Sequence, residues 1–303
     1  MTSAAGDLVV VVVAYGAPDD LARCLGALEG RYRVLVIDNS SSGPVHRITE
    51  RAGARYVDPG SNLGFASAVN LALAEVASAD VDVLLLNPDA MVTPAVVDQL
   101  HRALESAPRR ACVAPAQHAP GSLALDRVCW PFPTPARAWW EAIGLGRLSR
   151  SCDFLIGSVL LVRGAALVDV GGFDERFFMY AEETDWQHRA TERGWEVGFC
   201  PDALAVHQGA GTDDDPARRS MRFHAGVERY VRKWYGARGW AIFRAAAIVG
   251  AAGRAIILTG SRRRAAAQRA RLYLAGPDRQ ARRAGAVPAP LTRVPAFSRE
   301  PPP

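Results

Sequence analysis

Five consecutive valines, Val9 to Val13, constrain this chain more than any other stretch. With no polar position in the run, neither face of an extended segment could be turned to water. β-Branching disfavours the helical alternative, so the run reads as a strand buried on both faces. It ends at Tyr15-Gly16, and the period then changes. Pro18 and Asp19 suit the first turn of a helix whose Leu21, Cys24, Leu25 and Leu28 share one face. A second buried strand over 33–37 stops at Asp38-Asn39-Ser40-Ser41-Ser42-Gly43. A helix over 45–52, a short strand over 55–57 and a helix over 65–77 follow, the last preceded by Asn62 between Gly60 and Gly64. A fourth strand over 81–86 stops at Asn87-Pro88-Asp89. Strands alternating with helices at this spacing predict an α/β fold with a Rossmann-like, mostly parallel central sheet flanked by helices.

Beyond this region the pattern loosens. Residues 108–149 read as a long connection containing proline and tryptophan, and 154–162 as a strand broken by Gly157, where a ligand or another backbone can approach closely. A helix over 185–194, a strand over 195–199, a loop carrying His207 and a helix over 216–234 complete the core. The expected organisation is a catalytic domain over 1–215, a C-terminal helical extension over 216–275 and a Pro- and Arg-rich disordered tail over 276–303.

The net charge of +5 is unevenly spread over the 303 residues. Positions 238–303 hold 13 arginines and two acids, a net +11, which leaves the first 237 at −6. A basic tail calls for an anionic partner. The apolar stretch over 241–258 is interrupted by Arg244 and Arg254 and precedes Arg262-Arg263-Arg264, Arg269 and Arg271. It reads as an interfacial helix on an anionic membrane surface rather than a span. The tail lacks the interleaved aromatics of a single-strand platform, so no nucleic acid is expected. Five scattered cysteines (Cys24, Cys112, Cys129, Cys152, Cys200) without a CxxC pair suggest reduced thiols in the cytoplasm, with no disulfide framework or zinc site. GxGxxG is missing after the first strand and GxxxxGK[ST] is missing throughout, in a chain whose one lysine is Lys233. Dinucleotide-binding and P-loop readings are thereby disfavoured.

Two features carry chemistry. Polar clusters stand at three strand ends (Tyr15; Asp38-Asn39; Asn87-Pro88-Asp89), where open α/β sheets gather their ligands. Residues 171–185 crowd five carboxylates and four aromatic rings behind a glycine pair. That composition describes a cleft with an apolar wall and a carboxylate able to take a proton. The competing reading of Glu182, Glu183 and Asp185 is a solvated first helical turn favoured by the dipole.

The segments Val11-Val12-Val13-Ala14-Tyr15, Val36-Ile37-Asp38-Asn39-Ser40, Asn62-Leu63-Gly64-Phe65-Ala66 and Leu85-Leu86-Asn87-Pro88-Asp89 occur in order with Gly171-Gly172-Phe173-Asp174-Glu175-Arg176-Phe177-Phe178-Met179-Tyr180, Glu182-Glu183-Thr184-Asp185, Arg189, Gly194-Trp195 and His207. In this register, from about residue 8 to 210, the chain resembles the inverting family 2 glycosyltransferases of the GT-A fold, particularly their rhamnosyltransferase-like branch.

The resemblance implies transfer of a sugar, L-rhamnose from dTDP-L-rhamnose as the leading choice, to a hydroxyl of a lipid-linked or polysaccharide precursor. The scattered cysteines and the basic, partly apolar tail add the expectation of a cytoplasmic enzyme lying peripherally on the inner face of the membrane. By the same resemblance Tyr15, Asp38, Asn39, Asn62, Gly64 and Asn87 form the donor site, with Asp38 accepting a hydrogen bond from the pyrimidine N3–H and Tyr15 packing near the base. Asp89 and His207 would hold Mg²⁺ or Mn²⁺ at the diphosphate. Phe173, Asp174, Phe178, Tyr180 and Glu182 would meet the acceptor, with Phe177 in the same wall. Glu183 aligns with the general base, while Asp185 is an alternative base or a partner of Arg189 at i+4. Three positions depart from the family pattern: Gly16 after the tyrosine, Asn87 for an aspartate, and Glu183 in place of the usual aspartate. Asn87 and Glu183 keep open a second reading, a non-catalytic nucleotide-sugar-binding or scaffold protein with the same fold.

Overall fold

The computed structural model describes residues 7–146, 151–209 and 215–288. The valine run lies in β1 (Asp7–Ala14), which pairs in parallel with β2 (Arg33–Asp38) on one side and β4 (Val81–Leu86) on the other. β3 (Arg55–Val57) extends the sheet beyond β2. On the far side of β4, β10 (Val159–Val162) runs antiparallel to β4 and to β6 (Arg110–His118). β11 (Glu196–His207) is parallel to β6, and β5 (Ala90–Met91) pairs antiparallel with the end of β11. The order is β3-β2-β1-β4-β10-β6-β11-β5, with β7 (Leu125–Asp126) folded back onto β6.

Burial on both faces follows as the sequence requires. Val9 and Val11 pack into one layer with α3 (Phe65–Val76), α6 (Gly164–Val170) and α7 (Glu182–Glu192). Val10 and Val12 pack into the other with α1 (Pro18–Ala27), α2 (Gly43–Arg51) and α4 (Pro94–Glu105). Because β1, β2 and β4 are parallel, Tyr15, Asp38 and Asn87 emerge at one edge. β10 enters the sheet from that edge, and the Asn87 amide donates to the Ser158 carbonyl at 2.8 Å.

Several sequence expectations need correction. Residues 108–149 are not simply a connection: they contain β6, a strand buried in mid-sheet, and α5 (Pro135–Ala142). The Arg110–His118 segment is alanine-rich with Pro115 inside it, which conceals its strand character. Pro115 has no amide to give the ladder, and β11 bulges between Cys200 and Leu204 directly opposite it. His207 ends β11 rather than sitting in a loop. The helix expected over 216–234 runs on as α8 (Pro216–Ile257), kinked at Gly236 with φ 66°. Finally, Cys129 and Cys152 form a disulfide, so the expectation of five reduced thiols fails. Cys129 lies in β8 (Cys129–Trp130), which pairs with β9 (Phe154–Leu155) and thereby brings the 23-residue-distant Cys152 alongside.

α8 shares a third core with the 171–181 loop, in which Phe177 and Ala181 pack on Val227, Tyr230, Val231 and Trp240. Its second half pairs with α9 (Gly260–Ala275) as a helical hairpin, and α10 (Pro277–Arg283) follows. Along the expected interfacial stretch, Phe243, Ala246, Ala247 and Ala251 are buried while Ile242, Val249, Ile256 and Ile257 are exposed. The tail expected to be disordered over 276–303 is instead ordered where it is described: it forms α10, and Ala281, Ala286 and Val287 are buried against Phe178 and Ala225. Residues from 289 onward lie outside the described residues.

Candidate active site

The carboxyl ends of β1, β2 and β4 carry the first group of residues. Tyr15 is 47% exposed and the adjacent Gly16 amide donates to Ser40 Oγ at 2.9 Å. Asp38 is wholly buried. Its Oδ1 accepts from the Ser40 amide (2.9 Å) and hydroxyl (2.6 Å), and its Oδ2 from the Ser42 amide (2.7 Å) and Tyr56 hydroxyl (3.0 Å). Burial and the hydrogen bond to Asp38 push the Tyr56 phenol up to about 12, so it stays a donor. A carboxylate with four donors of its own chain is saturated. Asp38 therefore holds the 38–42 turn through both of its oxygens.

Asn39 and Asn62 shape the next turn. Asn39 Nδ2 donates to the Gly64 carbonyl at 3.1 Å, and Asn62 Oδ1 accepts from the Gly64 amide at 2.9 Å. Gly64 has φ 79° and ψ 177°, a backbone region nearly exclusive to glycine, and a Cβ there would collide with the Phe178 carbonyl oxygen. That carbonyl accepts the Phe65 amide at 2.8 Å. The donor-side turn is thus clamped to the carboxylate-rich loop. Asp89, nearly buried, places Oδ1 3.4 Å from His207 Nε2, and its carbonyl accepts the Gln208 amide at 3.2 Å. Among the described residues no cluster of three or more metal-ligating side chains exists. Asp89 and His207 offer one hard oxygen and one borderline nitrogen, a donor pair that fits Mg²⁺ or Mn²⁺ when substrate oxygens supply the rest.

The acidic loop divides into structural and reactive members. Phe173 is core, stacked on Trp186 at 5.9 Å, with both its backbone groups held by the Asn70 side chain at 2.8 Å. Asp174 bonds Arg176 and Lys233; although burial acts to raise it, these cations hold its carboxyl well below the usual range. Phe178 is buried against Ala225 and Val287, while Tyr180 makes an edge contact with Phe223. Asp185 is fully buried and bound on both oxygens: Lys233 Nζ at 2.6 Å and Trp234 Nε1 at 3.0 Å on Oδ1, Arg189 Nε at 3.1 Å on Oδ2. Lys233 and Trp234 reach it from α8, a tertiary contact 49 residues away that no local spacing announces.

Glu182 and Glu183 differ from all of these. Each has a buried Oε2 without a hydrogen-bond partner. Burial pushes the Glu183 carboxyl up to about 7, and burial together with the Glu183 charge raises Glu182 well above its ordinary value. Gly157, at the mouth of β10, lies against Glu183 and leaves the space a side chain would fill. Tyr180 and Ala181 precede the pair with φ of 69° and 72°, left-handed values that cost non-glycine residues about 1–2 kcal/mol each. The resulting turn delivers Glu183 at the N-terminus of α7, at the edge where Asn87 and Ser158 meet. The described site therefore joins the polar edge of the sheet, an Asp89–His207 pair whose donor atoms suit a divalent cation, and a Glu183 carboxyl raised towards neutrality whose Oε2 has no hydrogen-bond partner.

A sheet of this order with such an edge is that of the GT-A glycosyltransferases. Residues 9–163 match the family described as Glycosyl transferase family 2, and the chain belongs to that family. It is 32% identical over 250 residues to the N-acetylglucosaminyl-diphospho-decaprenol L-rhamnosyltransferase of Mycobacterium tuberculosis, spanning 72% of this chain and 81% of that one. The fold is similar to that of a mannosyltransferase from Pyrobaculum calidifontis in complex with GDP-mannose and Mn²⁺ (TM-score 0.54, 15% identity, 90% of this chain and 82% of that one). It is also similar to glucosyl-3-phosphoglycerate synthase from M. tuberculosis with Mn²⁺, UDP and glucosyl-3-phosphoglycerate (TM-score 0.54, 14% identity, 76% of this chain and 80% of that one).

Proposed function

We propose that this glycosyltransferase moves L-rhamnose from dTDP-L-rhamnose to a hydroxyl of a prenyl-diphosphate-linked sugar, inverting the anomeric centre. The observation that carries the mechanism is the buried Glu183 Oε2, which has no hydrogen-bond partner, beside an Asp185 engaged on both oxygens. Glu183 takes the proton of the acceptor hydroxyl as its oxygen bonds to the anomeric carbon, and the bond to the nucleoside diphosphate breaks on the opposite face. Asp185 holds Lys233 and Arg189 and thereby fixes the first turn of α7 on α8. Asp89 and His207 would hold a divalent cation, which supplies Lewis-acid neutralisation of the departing diphosphate when bound. Tyr15, exposed just beyond the end of β1, would pack against the base of the donor. Rhamnose and the lipid-linked acceptor are supported by the name of the 32%-identical relative.

We further infer a peripheral membrane position through the α8–α9 hairpin. α8 is long and apolar enough to cross a membrane by length and composition, but a third of its most apolar stretch is buried in protein. Its exposed Ile256 and Ile257 sit just before Arg262-Arg263-Arg264, the pairing of apolar and cationic groups that favours an anionic interface. A thermal-shift panel of dTDP, UDP, GDP and dTDP-rhamnose with and without Mn²⁺ tests the donor assignment. A Mn²⁺-dependent rise with dTDP-rhamnose, lost in Asp89→Ala, is expected, and a preference for GDP would overturn it.

A further inference from the structure

Behind the β8–β9 ribbon lies an open cleft of about 780 Å³, between β7–β8, α5 and the C-terminal helices. Four arginines line it (Arg127, Arg137, Arg254 and Arg269) against two acids, Asp126 and Glu141. Glu141 already pairs with Arg137 at 3.3 Å. The remaining three arginines face one acid, Asp126, and carry the cationic excess of the cleft. Arg127 lies 4.0 Å over the Trp130 ring. Arg254 and Arg269 face each other across the hairpin, and burial together with the Arg269 charge lowers the Arg254 pKa. Arg269 Nε is buried without a hydrogen-bond partner. Guanidinium groups so placed repel one another and leave a donor unsatisfied, and a bridging anion with several oxygens removes both penalties.

The rest of the cleft narrows the class of anion. Trp130 and Phe199, both more than a third exposed, supply an apolar wall beside the arginines. Arg254 also precedes by two residues the exposed Ile256 and Ile257, which are 83% and 81% accessible at the hairpin tip. A ligand with its charge among these guanidiniums can continue as hydrocarbon towards that tip.

We propose that this cleft is an anion site distinct from the Asp89–His207 edge, and that it takes the diphosphate group of a prenyl-diphosphate-linked acceptor. The proposal rests on the lipid-linked acceptor reading above for the source of the diphosphate, though not for the existence of the site. Its chemistry is fork-shaped guanidinium recognition of diphosphate oxygens, with the first isoprene units against Trp130 and Phe199.

The test is calorimetric titration of the full chain, in EDTA, with farnesyl diphosphate and with inorganic diphosphate. It compares wild type, Arg254→Gln/Arg269→Gln, Arg254→Lys/Arg269→Lys and Asp89→Ala. The expected result is farnesyl diphosphate binding weakened at least tenfold in the Gln pair, partly restored in the Lys pair and unchanged in Asp89→Ala. Binding of dTDP with Mn²⁺ is retained in both arginine pairs, which shows that the fold survives. Farnesyl diphosphate binding tighter than inorganic diphosphate assigns the lipid-linked source. Equal binding of the two overturns that source. Diphosphate binding that ignores the arginine pairs, or that disappears in Asp89→Ala, overturns the site. Failure of rhamnosyl transfer alongside an arginine-dependent farnesyl diphosphate isotherm would count against the transfer reading and leave the site standing.

Discussion

Glu183 and Asp185 lie two residues apart on one helical turn, yet their surroundings assign them opposite tasks. Asp185 is satisfied by three donors on two elements, whereas Glu183 has a buried oxygen with none. Replacing Glu183 with Gln should lower kcat about 10²–10⁴-fold with donor affinity kept, the usual range for loss of a general base. Asp185→Asn should act first on stability, lowering the melting temperature, because Lys233 would lose one of its two carboxylate partners and Arg189 its ion pair. The pH dependence has a definite sign. A carboxyl raised to about 7 in the folded state binds its proton more tightly than the unfolded chain does, so its contribution favours folding at low pH and is lost as pH rises from about 4.5 through about 7. Chemical denaturation across that window should show stability falling with pH, and Glu183→Gln should flatten the slope. Asp38 teaches the complementary lesson. Sequence resemblance marks it for base recognition, and its four intramolecular donors give it a structural task as the anchor of the 38–42 turn. Asp38→Asn should cost about 1–3 kcal/mol by denaturant titration, since an amide cannot accept at all four positions.

At the level of elements, the catalytic loop is held from two sides by glycines. Gly64 admits the Phe178 carbonyl and Gly226 admits that of Tyr180; a Cβ at either would collide with backbone. Gly64→Ala should therefore destabilise the protein by about 1–3 kcal/mol from its backbone region alone. It should also reduce kcat, measured with saturating donor, because the same contact sets the turn before Glu183. The β1 to β4 region was legible in the sequence because apolar period and turn chemistry agreed there; β3 and β4 fall at the boundaries read from the residues alone. β6 was hidden because its alanines and Pro115 carry no strand signal, and only the facing bulge in β11 makes the proline acceptable. The acidic turn was legible as a cluster. The division of labour within it was not, since Lys233, Trp234 and Gly157 come from distant parts of the chain.

Over the whole molecule, charge and apolar surface converge on one end. The last helices concentrate arginine, and the α8–α9 tip exposes Ile256 and Ile257 beside Arg262 to Arg264. Ile256→Asp/Ile257→Asp should weaken sedimentation with phosphatidylglycerol vesicles at least several-fold, with no loss of dTDP binding. Raising the salt should weaken it further by screening the arginines. The composition predicted this asymmetry, but the depth to which α8 is built into the catalytic core, through Tyr230 and Trp240 against Phe177, emerges only from the packing. The most direct test of the account is the transfer reaction itself: dTDP-L-rhamnose and a prenyl-diphosphate-linked N-acetylglucosamine, full chain and Mn²⁺, with the product's anomeric configuration read by NMR. The account predicts rhamnosyl transfer with inversion, reduced about 10²–10⁴-fold in Glu183→Gln. Retained configuration, or full activity in Glu183→Gln, would contradict it.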